Sequence, residues 1–154
     1  MVQLRTLKRT LQFTISIAAF MTVGSGMAAD LDASAIHMTV PDKIPWKVTP
    51  NADTAVLAGD PEKPGIYVEL TRWHAGHMSR PHFHPYDRYI TVISGTWWVG
   101  TGPKYDPNTT VGMPAGSFVT HYAKGTHWDG AKDADCVIEI VGMGPATATN
   151  AEVQ

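Results

Sequence analysis

His82 and His84 stand one residue apart, and a strand projects residues two apart from the same face. Two imidazoles so placed make a pair of nitrogen ligands, and a third ligand from another strand would complete the open site of a catalytic metal, where water or substrate takes the remaining positions. Read alone, a His-x-His pair serves equally as a surface or hydrogen-bonded pair on a strand. Its setting adds weight, because Gly76 and Pro81 precede it and a glycine turn follows at Gly95, where a hairpin would open into a barrel mouth. Six of the seven histidines fall between His74 and His127. Among them His121 reads as a reserve ligand or a proton-transfer residue, while His74 and His77 flank Ala75-Gly76 on an expected exposed turn. Tyr86 shares strand parity with His82 and His84 and is expected to face inward, with a phenol able to hydrogen-bond a substrate oxygen or simply to pack. Asp87 has the opposite parity and cannot serve as a ligand without a bulge. Of the adjacent Trp97 and Trp98 one must point inward, filling a barrel or walling a small organic ligand.

The elements that would carry these side chains are short. Residues 66–73, 89–93, 95–99 and 137–141 are runs rich in β-branched and aromatic residues, each bounded by Gly, Pro, Asn or Asp. Ser94-Gly95 marks a tight turn, and residues 101–108 read as a loop between hairpins. Upstream, Pro41, Pro45 and Pro50 break every window long enough for helical periodicity, so residues 30–64 read as an extended arm with an edge strand. Several short strands with regular turn signals and no long helix predict an all-β sandwich or barrel. The small, polar residues 146–154 are expected to form a flexible tail. Cys136 lies in an apolar run with no cation close in sequence, so it reads as a small core residue and not a reactive thiol.

The spacing of Gly76, His82, His84, Arg88 and Gly95, and then of Gly116, Tyr122, Lys124 and His127, resembles the two motifs of the cupin superfamily. The first motif expects Glu where Arg88 stands, and the second expects Pro and Gly where Tyr122 and Lys124 stand. The resemblance spans residues 76–127 and implies a single-domain double-stranded β-helix, or jelly-roll, barrel over residues 65–145. It implies metal ligation by His82, His84 and His127, with a divalent ion such as iron, zinc, copper, manganese or nickel, and without the carboxylate ligand. A guanidinium beside a dication is repulsive and offers no lone pair. Three readings of Arg88 stay open: it clasps an anionic substrate through its planar fork, it swings out to leave a three-histidine site, or the site holds no metal. The resemblance also implies pairing of two barrels, and an activity of dioxygenase, decarboxylase, lyase or isomerase type on a small organic molecule, with Arg88, Tyr86 or His121 orienting substrate or moving a proton. The alternative is a non-catalytic cupin that binds a small molecule or a metal.

Composition narrows the partners. Residues 1–29 run from Arg5, Lys8 and Arg9 through the apolar stretch 13–23 to small residues ending at Ala29, the order of a cleaved secretory signal. The apolar stretch is shorter than the roughly 20 residues that span a bilayer core. Its removal takes three basic residues and no acidic one, which moves the formal net charge from −2 to −5. No Lys/Arg-rich run follows, so neither nucleic acid nor an anionic membrane is an expected partner. One domain, exported to the periplasm or secreted, and a small-molecule ligand are expected.

Overall fold

The computed structural model describes residues 30–153, so the expected signal segment 1–29 lies outside the described residues. Residues 30–37 form a unit of their own, in which the Asp32 carboxylate accepts hydrogen bonds from the Ser34 amide and hydroxyl. The rest of the chain forms a second unit and is all-β, as expected. Among the described residues no helix is long and apolar enough to cross a membrane.

Among the described residues ten strands build two five-stranded sheets. The first contains β1 (Ala52–Ala58), β2 (Gly65–Trp73), β9 (Cys136–Gly144), β4 (Arg88–Ser94) and β7 (Phe118–His121) in that spatial order. The second contains β10 (Thr149–Asn150), β3 (His82–Phe83), β8 (His127–Gly130), β5 (Thr96–Thr101) and β6 (Val111–Pro114). All named pairings are antiparallel. The four apolar runs read from sequence become β2, β4, β5 and β9. Within the arm, β1 is the edge strand, and the prolines leave only a 3₁₀ turn at Pro41–Lys43 and an isolated bridge from Lys47 to Thr54.

Period-two alternation sorts each long strand into an inner and an outer face. Tyr67, Ile90, Val92, Ile138 and Ile140 from the first sheet meet Trp97 and Val99 from the second in one core. Burying an isoleucine or valine this completely stabilises the fold by about 1.5–3 kcal/mol relative to exposure. Trp97 is the inward tryptophan and has no exposed surface, whereas Trp98 faces outward under Lys132. Cys136 joins the core, and burial pushes its thiol pKa up to about 12. The turn between β4 and β5 depends on Gly95: its φ is 73°, and a Cβ there would sit 2.4 Å from the Asp135 carbonyl oxygen.

The C-terminal segment departs from the expected loose tail. Strand β10 pairs with β3, the Ala151 amide donates to Pro81, the Val153 amide donates to Pro103, and Glu152 forms an ion pair with Arg80. Small polar residues are compatible with an edge strand when backbone hydrogen bonds do the holding.

Candidate metal centre

The second sheet assembles the histidines. Strand β3 is two residues long and sits between β10 and β8, with His82 registered against Asn150 on one side and His127 on the other. His84 follows β3 immediately, and its carbonyl accepts the Lys124 amide at 2.8 Å, which draws the loop before His127 over the site. Lys124 stands where the motif expects glycine and adopts φ 61°, the left-handed backbone that glycine takes without strain. Asp87 pins the same loop by accepting the Ala123 amide at 2.7 Å, so its carboxylate serves the backbone and not the site.

His82, His84 and His127 come together as the resemblance implied, with ligand nitrogens all within 4.8 Å of one another. Ring centroids are 4.9 Å apart for His82 and His84, 4.5 Å for His82 and His127, and 5.4 Å for His84 and His127. Each ring is oriented by a backbone carbonyl at Nδ1: Arg80 for His82 at 2.8 Å, Thr147 for His84 at 2.9 Å, and Gly125 for His127 at 2.9 Å. A carbonyl can only accept, so each Nδ1 carries the proton and each Nε2 keeps its lone pair. The Nε2 atoms of His82 and His84 face each other at 3.1 Å, and the buried Nε2 of His127 has no hydrogen-bond partner. Acceptors crowded together in this way, with their tautomers set by a backbone shell, are the donor set of a divalent ion, and the cluster fits a metal site.

Burial disfavours the protonated form of His84, His127 and His121. Burial, reinforced by the Arg88 charge, holds the pKa of His84 down at about 3. His127 is lowered as well, chiefly by burial, against the opposing pull of Asp129. His121, at the end of β7, is buried with its ring centroid 3.8 Å from that of His127, and neither of its nitrogens has a partner. Burial and the neighbouring His127 lower its pKa to about 2.

Arg88 begins β4, registered against His121 on β7 and Gly142 on β9. Its side chain turns into the barrel and donates through Nη1 to the His84 Nε2. The charge of Arg88 also acts on the Tyr67 phenol and the Glu69 carboxyl, lowering two pKa values that burial raises. Tyr86 behaves differently from expectation. The strand ends at Phe83, so parity does not carry to residue 86, and Tyr86 lies on the following loop with 46% of its surface exposed. His74 is likewise not a free surface histidine: its Nε2 lies 3.1 Å from the buried Asp53 carboxylate.

Asp129 is a residue that sequence reasoning passed over. It is buried, and its carboxylate forms a second candidate metal-binding group with His121 and His127, again within 4.8 Å. His127-Trp128-Asp129 has the same two-residue spacing that singled out His82 and His84, and that was the available signal. Trp128, between them, points the other way and packs on Gly100, where a Cβ would lie 2.3 Å from its ring. Beside His82 a cavity of about 290 Å³ opens, lined by Trp73, Ile138 and Ile140 together with His82, Arg88 and Asp129.

No family model and no curated protein matches this sequence. Solved structures do match. The polyketide cyclase RemF from Streptomyces resistomycificus aligns with a TM-score of 0.64 at 13% identity, over 77% of this chain and 87% of that one. The lyase DddQ from Ruegeria pomeroyi DSS-3, which acts on DMSP, aligns with a TM-score of 0.57 at 13% identity, over 72% of this chain and 64% of that one. A cupin 2 conserved barrel domain protein from Rhodopseudomonas palustris aligns with a TM-score of 0.55 at 15% identity, over 73% and 83% of the two chains. At such identities the likeness concerns the fold.

Proposed function

We propose, since this chain is a cupin by fold, that it holds a divalent metal ion on His82, His84 and His127 and acts there on a small organic molecule. The observation that carries the reading is the shared orientation of the three rings, each with Nδ1 spent on a carbonyl and Nε2 left to a common centre. An ion bound there would act as a Lewis acid on a substrate oxygen, lowering the cost of charge that develops in a dioxygenase, decarboxylase, lyase or isomerase reaction. The chain's own groups do the rest. The apolar wall of Trp73, Ile138 and Ile140 binds the substrate body and excludes water. His121, neutral and hydrogen-bond-free beside His127, offers its ring nitrogens as a reserve ligand or a proton relay. Arg88, beside His84 on the same cavity, orients a polar end of the substrate. The cyclase and the DMSP lyase that share the fold act on small organic molecules, which is in keeping with this reading.

A second reading has one observation in its favour. Arg88 occupies the place of the carboxylate ligand and donates to a ligand nitrogen, an arrangement equally suited to a binding protein that performs no chemistry. In either case the protein works after export, as a periplasmic or secreted domain starting near Asp30.

The test is elemental analysis of protein recovered from the exported fraction, with its mass reporting cleavage after Ala29, beside a variant in which His82 and His84 are both replaced by Ala. Near one metal per chain in the natural protein, and about a hundredfold weaker retention in the variant, is the expected result on the scale of lost metal ligands and their supports. Equal metal content in both proteins would place the ion elsewhere. No metal in either would leave an organic-ligand pocket without metal chemistry.

A further inference from the structure

Arg88 is unusual among the charges of this barrel. Among the described residues no carboxylate forms an ion pair with it, and its Nε is buried without a hydrogen-bond partner. Its guanidinium donates to the Tyr67 hydroxyl and to the Nε2 of His84, the latter a lone pair that a metal on the three histidines would require for itself. A metal ion and this hydrogen bond are therefore mutually exclusive at His84. Once displaced, the guanidinium remains on the cavity wall beside a dication, two like charges in a low-dielectric barrel. Glu69, on which the Arg88 charge acts, and Asp129, on the same cavity wall, offset part of that repulsion, and an anion between the two cations offsets more. A carboxylate is suited to the gap, since one oxygen can face the ligand cluster while the other takes the N–H groups of the guanidinium, and the apolar residues Trp73, Ile138 and Ile140 lie on the same cavity for the remainder of the molecule.

We propose that Arg88 makes this site a receptor for small organic carboxylates with an apolar body, and that metal and carboxylate bind cooperatively because each relieves the unpaired charge the other would leave. The proposal rests on the three-histidine metal site proposed above, and it adds the substrate class and the order of dependence. Coupling between the two ligands is reciprocal: a carboxylate that tightens metal binding must itself bind more tightly when metal is present, by the same factor.

The experiment is calorimetric titration of the metal-depleted protein with zinc, in the presence and absence of saturating phenylacetate, with phenylacetamide as the neutral counterpart. In the natural protein phenylacetate is expected to tighten zinc binding by about tenfold or more, and phenylacetamide to have no effect, a size typical of coupling between sites. Arg88→Met keeps an unbranched apolar stem and removes the charge and the donors. Zinc alone should bind this variant more tightly than the natural protein, because nothing competes for the His84 lone pair, and the phenylacetate effect should fall to about twofold or less. Arg88→Lys, which keeps the charge without the planar fork, should retain part of the coupling and guards against a variant that merely fails to fold. Zinc binding with no phenylacetate effect in the natural protein, or with the same effect in Arg88→Met, overturns this inference and leaves the metal site standing. Absence of zinc binding to the natural protein in every condition overturns the metal site first, and with it the cooperativity.

Discussion

Burial acts on the histidines before any ligand does. His84 and His121 are each 7% exposed and are held neutral, with pKa values near 3 and 2 against 6.5 for an imidazole in water. In the unfolded chain both rings take protons as the pH falls through 6.5, whereas in the folded chain they do not. The unfolded state then binds more protons, so stability of the metal-depleted protein is complete above about pH 6.5 and declines as the pH falls toward 3. Each ring contributes at most about 2 kcal/mol of loss between pH 6.5 and 5, from 1.36 kcal/mol per unit of pKa difference. Glu69 opposes this, since burial raises its carboxyl pKa and acid relieves the cost of its charge, but it is one group against two. Urea denaturation of metal-depleted protein at pH 7 and pH 5 is expected to show the lower midpoint at pH 5, and His121→Phe should flatten the difference. An unchanged or higher midpoint at pH 5 would mean that the rings are already protonated or already wet in the fold.

At the scale of elements, the site depends on pieces that carry little sequence signal. The Thr147 carbonyl orients His84, and β10 supplies the outer partner of β3, yet residues 146–153 are small and polar and read as a loose end. Deleting residues 146–154 should reduce zinc affinity by about 10–100-fold, the usual cost of losing a partner that orients a ligand, with all three histidines still present. Full affinity in the truncated chain would show that the Thr147 contact is incidental. The long inner strands were legible because their alternation is repeated over several residues, and His82 and His84 because a two-residue spacing survives even in a two-residue strand. Tyr86 was misjudged for the complementary reason: parity holds only while the strand lasts, and this strand stops at Phe83. Asp129 and Glu69 were missed because a single carboxylate on a strand gives no period of its own, and its direction depends on neighbours from distant parts of the chain. The proximity of Arg88 to His84 was legible as a motif position, whereas the direction of its guanidinium was not.

The whole molecule presents an apolar outer face on its first sheet. Tyr89 stacks on Phe118 with ring centroids 6.4 Å apart, Ile66 is registered beside Met143, and all four are substantially exposed. We propose that a second copy of the barrel covers this face, as apolar patches of such extent on soluble domains mark association surfaces. Light scattering during size-exclusion chromatography should give twice the chain mass, and Phe118→Glu should return a monomer that still binds zinc. A natural protein that elutes as a monomer at all concentrations would remove the pairing without touching the metal site.

The pairing of β10 with β3 also sets an order of events. Ribosomes deliver a chain from its N-terminus, and the backbone oxygen that aims His84 belongs to Thr147, 63 residues after the ring it orients. The binding centre is therefore finished only once residue 147 has followed all three histidines into the fold. Intrinsic affinities of nitrogen sites rise along the divalent series toward copper, wherever the protein happens to be. On the proposed export, a centre completed after its own ligands would meet only the ions of the place where folding ends, so the identity of its metal would record address as much as ligand chemistry.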